Sequence, residues 1–125
     1  MIVNCEFIDM SIPTGGGGLY STTQDLYLFD RALYTDKIIN IASVNLMHTP
    51  YIPSSQYSSS YGYGWFIADD TFGDTNNRQI GHGGGIYGFR SEFNRYVDED
   101  VVVIVLAKGV FSLCLNIKVL LRSFV

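Results

Sequence analysis

Apolar residues recur at positions 26, 29 and 33, with Ala32 beside them, which is the i, i+3, i+7 spacing of one face of a helix. The pattern predicts a helix running to about Tyr34, with Leu26, Phe29 and Leu33 on its buried side. Ser21-Thr22-Thr23-Gln24 ahead of it has the form of a capping box, in which the Ser21 hydroxyl accepts from an early helix amide while Gln24 reaches back. A second, brief helix is expected over residues 44–48, capped by Ser43 and ended by the Thr49-Pro50 step, because the residue before a proline avoids helical geometry. Four consecutive glycines, 15–18, precede the first helix and read as a loop.

After residue 60 the period shortens to that of strands. Residues 61–68 are rich in aromatics and are expected to form a strand, with the polar stretch 69–77 as a turn or irregular excursion. Residues 78–82 are a candidate strand leading into glycines. Residues 89–97 and 101–107 flank Asp98-Glu99-Asp100, which predicts an antiparallel hairpin. The second of these segments is apolar on both faces, so a central position with both sides covered is expected. Apolar residues at 110, 113, 114, 117, 120, 121 and 124 fit a last helix. Helices, then antiparallel strands, then a helix make an α+β chain: an antiparallel sheet with flanking helices.

Composition narrows the functional classes. With 47% hydrophobic and 16% charged residues, the chain is not of the disordered type, and 125 residues allow one domain and no second. A net charge of -4 leaves no basic stripe for phosphates, so no nucleic acid partner is expected. The longest apolar run, seven residues at 101–107, is far short of the roughly 18 of a membrane helix, so no membrane span is expected. Residues 1–7 lack the basic start and long apolar core of a signal peptide. Cys5 and Cys114 form neither a disulfide framework nor a zinc spacing, and no metal or cofactor is expected.

The densest motif is Gly81-His82-Gly83-Gly84-Gly85-Ile86-Tyr87-Gly88. Gly83, Gly85 and Gly88 satisfy the dinucleotide fingerprint G-x-G-x-x-G, but that fingerprint must open a helix whose N-terminus receives the pyrophosphate, and here a strand pattern follows. A triad of Ser21, His82 and Asp25 is disfavoured because the serine serves better as a cap. His48, in Leu-Met-His-Thr-Pro, reads as helix-end packing. The alternating Tyr61, Tyr63 and Trp65 read as the core face of a strand more readily than as a ligand platform.

Taken with its neighbours, the glycine-flanked histidine resembles the third motif of the serine β-lactamase and penicillin-binding-protein family, of the class C β-lactamase and D-alanyl-D-alanine carboxypeptidase type. Gly17-Gly18-Leu19-Tyr20-Ser21-Thr22 followed by Asp25-Leu26 resembles a helix-opening segment of that family, Tyr61-Gly62-Tyr63-Gly64-Trp65 the strand before motif three, and residues 101–107 the next core strand. The resemblance covers roughly residues 9–109 and lies in the order and spacing of the pieces. It implies that His82 offers a donor or cation to a substrate carboxylate or to the catalytic hydrogen-bond network. It also implies that Gly83 and Gly84 keep the strand bare for substrate backbone, and that the Gly85 amide is one of two oxyanion donors.

The departures from that family bear on activity. Its nucleophile lies in Ser-x-x-Lys, yet Tyr34, Val105 and Leu115 stand three residues before Lys37, Lys108 and Lys118. No tyrosine is followed two residues later by asparagine, so Tyr-x-Asn is missing as well. The resemblance therefore implies a single partial domain over residues 1–125, the C-terminal part of a β-lactamase/transpeptidase-like fold without the nucleophile-bearing N-terminal half. Such a chain is expected to be inactive alone and to meet a β-lactam or peptide ligand only in the complete domain. The alternative is a non-catalytic remnant that self-associates or binds a missing N-terminal half through uncovered apolar surface.

Overall fold

The computed structural model describes residues 4–53, 59–68 and 78–108. Three helices precede a five-stranded sheet: α1 (Thr14–Gly17), α2 (Thr23–Leu33), α3 (Ile41–Met47), β1 (Ser60–Tyr61), β2 (Phe66–Ala68), β3 (Gln79–Ile86), β4 (Phe89–Tyr96) and β5 (Val101–Lys108). The strands lie in chain order, each antiparallel to the next. This is the α+β architecture that the sequence pattern implies. The helix pattern after residue 110 and the polar stretch 69–77 fall outside the described residues.

The helices begin where small polar side chains can replace missing backbone partners, though not always at the residue read from the pattern. The cap of α2 is Thr22, not Ser21: its hydroxyl oxygen accepts from the Asp25 amide, and the hydroxyl donates to the Asp25 carboxylate at 2.8 Å. Asn40 rather than Ser43 caps α3, its side-chain oxygen accepting from the Ser43 amide at 2.8 Å. The glycines expected to form a loop instead supply the single turn α1, which starts after Pro13 with amides of Gly16 and Gly17 donating to the Pro13 carbonyl.

Between β1 and β2 the chain folds back within the aromatic stretch 61–68, which is a tight hairpin and not one strand. The Gly62 amide donates to the Trp65 carbonyl, and Gly64 takes φ 79°, a value that glycine alone adopts freely. The expected strand at 78–82 runs on through the glycines as far as Ile86. β5 forms the edge of the sheet among the described residues rather than lying centrally, and its burial fades from Val101 and Val102 toward an exposed Lys108.

Cross-strand partners share a face, so the register Ile67↔Ile80↔Arg95↔Val102 is a row across the sheet. All four are buried, as are Leu33 of α2 and Val44 of α3. Burying each aliphatic side chain in this set contributes about 1.5–3 kcal/mol. Arg95 enters this row because α2 turns Asp30 toward it. Asp30, 1% exposed, accepts from Arg95 Nη1 at 2.5 Å, and Arg95 also donates to Asp100. Arg31 completes the group by donating to both Asp100 oxygens, at 2.9 and 2.6 Å.

The expected buried face of α2 is thereby corrected. Phe29 is 39% exposed, and the position beside it, Asp30, is the one turned inward. Helical spacing alone does not register a carboxylate whose desolvation is offset by a guanidinium on a strand 65 residues away. Burial pushes the Asp30 carboxyl upward while Arg95 and Arg31 oppose the shift; the hydrogen bond from Arg31 holds Asp100 well below the usual carboxylate range. His48 caps the end of α3, as expected of helix-end packing, with its ring edge-on to Trp65 at 5.6 Å between centroids.

Two predictions follow from these buried polar groups. Asp30→Ala leaves Arg95 buried with only the half-exposed Asp100 and should cost about 3–5 kcal/mol in urea unfolding, whereas Asp100→Ala, at a 54% exposed site, should cost about 1 kcal/mol or less. Equal losses would contradict the assignment of Asp30 as the anchor.

The second concerns His48, which burial, with help from Arg78 and Arg95, pushes down to about 4. Between about pH 6.5 and 4 the unfolded chain therefore binds more protons at this residue than the folded chain does. Its contribution is fully present above the ordinary histidine range and is lost as pH falls through that window. His48→Gln should flatten this part of a stability-versus-pH curve; an unchanged slope would exclude His48 as its source.

Candidate strand-edge site around His82

Antiparallel pairing alternates sides: residues of a hydrogen-bonded pair exchange both backbone bonds, and the next residues turn theirs the other way. The Val97 amide donates to the Arg78 carbonyl at 2.9 Å, one step beyond the Gln79↔Tyr96 register. That bond sets the phase. Ile80, His82, Gly84 and Ile86 direct their backbone groups toward β4, while Gln79, Gly81, Gly83 and Gly85 direct theirs to the opposite edge.

Along that opposite edge β2 covers only Gln79, Ile80 and Gly81, because it begins at Phe66, the partner of Gly81. From His82 onward β3 has no strand on this side among the described residues. Among the described residues, the Gly83 and Gly85 amides thus lie on an open strand edge. Tyr87-Gly88 closes the hairpin beyond them, with Gly88 at φ 78°.

His82 sits where the covered edge gives way to the open one. Its Nδ1 is 2.5 Å from the outward carbonyl of Gly83, and its Nε2 is 2.9 Å from the Tyr61 hydroxyl. The imidazole also lies against Phe66, 5.0 Å between ring centroids, and Tyr61 packs edge-on against the same phenyl ring at 4.7 Å. By register, Tyr61 and Phe66 belong to the face opposite that of the His82 Cβ. The ring reaches them by folding over the edge, which is sterically open because β2 starts one residue too late to block it.

On the face away from His82, the glycines leave room for side chains of β4. A Cβ at Gly83 would run into the Glu92 carboxylate, and one at Gly85 into the Arg90 guanidinium. On the face of His82 itself, the nearest atom to a Cβ at Gly84 is Ser91 Oγ at 3.0 Å. The glycines of the motif therefore form a thin, accessible backbone strip rather than the start of a helix, in keeping with the rejection of the dinucleotide reading.

The structure brings His82, Gly83, Gly84 and Gly85 together along 4 consecutive positions of one strand. It does not assemble the triad: Asp25 is engaged with Thr22, the Ser21 hydroxyl with the Thr22 carbonyl, and His82 with Tyr61. The alternating aromatics are divided among three environments and are not one core face. Tyr61 meets His82, Trp65 packs on Phe93 and His48, and Tyr63, 62% exposed, stacks on Tyr51 at 4.7 Å. The hydroxyl of Tyr61 is the feature of the site that pattern reading missed. The only signal for it in the sequence is a tyrosine just before a glycine turn, and its link to His82, 21 residues on, depends on the sheet order.

Comparison with known proteins places this strip in context. Residues 4–113 match the family described as Beta-lactamase. Penicillin-binding protein 4* of Bacillus subtilis (strain 168) is 32% identical over 93 residues, covering 74% of this chain and 20% of that protein. The chain thus spans about a fifth of the length of this curated relative. No solved structure matches it.

Proposed function

The chain belongs to the Beta-lactamase family, and from that footing we propose that it carries one wall of a serine hydrolase site, the substrate-facing strand β3, within a domain whose nucleophile lies elsewhere. The observation that carries this reading is the open edge of β3, where the amides of Gly83 and Gly85 point outward next to His82. An amide held on a rigid strand, with no partner strand across from it among the described residues, is suited to stabilise the negative charge that develops on a carbonyl oxygen during acyl transfer.

In this reading Gly85 supplies one oxyanion donor, and Gly83 and Gly84 leave the strand bare for substrate backbone. His82 contacts a substrate carboxylate or the catalytic hydrogen-bond network. The sheet and its helices are then the C-terminal part of a β-lactamase/transpeptidase-like fold, and residues 1–125 a single partial domain. The bond attacked is that of a β-lactam, a D-alanyl peptide or a small ester. The chain alone is inactive, because the Ser-x-x-Lys serine and the Tyr-x-Asn tyrosine are not in its sequence.

A second reading is a non-catalytic module that self-associates or docks on an N-terminal half. It is favoured by the large apolar side chains left exposed on the N-terminal segment and α2: Phe7, Ile12, Leu19, Leu28 and Phe29. Strictly monomeric sedimentation at high concentration, with no binding of a hydrophobic dye, would count against it.

Two measurements test the hydrolase reading. The isolated chain should neither hydrolyse a chromogenic β-lactam nor gain the mass of a bound penicillin; a stoichiometric covalent adduct on any of its serines would overturn the assignment of the nucleophile. Residues 9–109 grafted in place of the matching segment of the Bacillus relative should retain penicillin acylation, and Gly85→Pro in that chimera, which removes the edge amide, should slow it roughly 10²–10³-fold. A chimera indifferent to that substitution would remove Gly85 from the oxyanion hole.

A further inference from the structure

The contacts of His82 define its protonation pattern more narrowly than its exposure suggests. The Gly83 carbonyl can only accept a hydrogen bond, so the 2.5 Å contact requires the proton of the neutral ring to sit on Nδ1. Nε2 then carries a lone pair, and the Tyr61 hydroxyl 2.9 Å away must be the donor to it. Both ring nitrogens are occupied, one by the backbone of the strand itself and the other by a side chain from β1. Phe66 closes on both rings and fixes their mutual orientation.

Resting on the reading of β3 as a substrate-facing strand, we propose that Tyr61 holds neutral His82 in its Nδ1-protonated form and itself offers the pair's remaining acceptor, so that this wall selects substrate N–H or O–H groups instead of a carboxylate. With the ring neutral, His82 has no N–H left to give. The capacity that remains in the pair is the pair of lone pairs on the Tyr61 oxygen, whose proton is committed to Nε2. An amide N–H or a hydroxyl of an acyl-transfer substrate matches those lone pairs; an ionised carboxylate brings acceptor against acceptor and leaves both unpaired. Tyr61 therefore decides which of the two roles open to His82 is taken up.

The test reads the imidazole directly and needs no catalysis. In the full chain at a pH where His82 is neutral, nitrogen NMR should show Nδ1 protonated and Nε2 as a hydrogen-bonded acceptor. In Tyr61→Phe the Nε2 signal should move toward that of a free lone pair, and the tautomer protonated at Nε2 should gain population. A wild-type ring protonated on Nε2, or an Nε2 signal that ignores Tyr61→Phe, would overturn the proposal. The wild-type spectrum decides the tautomer even where the variant fails to fold, and the selectivity is read on the same signals: titration with acetamide should shift the His82 Nε2 and Tyr61 resonances more than titration with acetate, and the reverse order would overturn it. Failure of the hydrolase reading would appear separately, in acylation of the chimera, and would leave the tautomer result standing.

Discussion

The backbone bond from Val97 to Arg78 fixes a phase that the rest of the sheet inherits. Because antiparallel pairing alternates sides residue by residue, that one contact determines which glycines face β4 and which face outward. A slip of one residue would turn the Gly83 and Gly85 amides into the ladder and bring out those of His82 and Gly84 instead. The late start of β2 at Phe66 then converts outward-facing into accessible. Two features of strand geometry, phase and length, thus create the strip on which the candidate chemistry rests, and the glycines add no side chains of their own to it, leaving room that Glu92 and Arg90 of β4 take up on one face.

That phase is held in place by polar as well as apolar packing. Ile67, Ile80 and Val102 give the sheet a buried row, and Arg95 stands in the same row as a charge. A guanidinium in this position is tolerated because Asp30 arrives from α2 and Asp100 from the β4–β5 turn, where its φ of 52° brings the carboxylate back toward the strand. Arg31 ties the same turn to the helix. The network gives directional linkage where hydrophobic contact alone would let α2 slide on the sheet, at the expense of desolvating two charges. Register and helix docking therefore constrain each other: Arg95 meets Asp30 only when β4 has the phase that also turns the Gly85 amide outward.

Much of this fold is legible in the sequence, and the parts that are not share a cause. The β4–β5 hairpin and the α2 helix follow from local period and turn chemistry, whereas local pattern stops the strand at His82 and does not carry it through the glycines to Ile86. The placement of His82, Gly83, Gly84 and Gly85 on one strand is implied by the family resemblance alone. What pattern reading missed depends on partners distant in the chain. Asp30 reads as a surface residue until Arg95 is opposite it, and Phe29 as a core residue until that pair has set the rotation of the helix. β5 reads as central because an apolar run does not reveal which neighbours it has. Tyr61 reads as one member of an aromatic alternation, and its contact with His82 exists only because a hairpin intervenes and β2 is short.

The central claim is that the Gly85 amide is free on an open strand edge and so able to meet a developing oxyanion. Amide hydrogen exchange, resolved residue by residue across Gly83, Gly84 and Gly85 in the intact chain, tests it most directly. Gly84, bonded toward Ser91 on β4, should be protected, while Gly85 should exchange at close to the rate of an unpaired amide. Protection of Gly85 equal to that of Gly84 would place its amide inside the ladder and contradict the account.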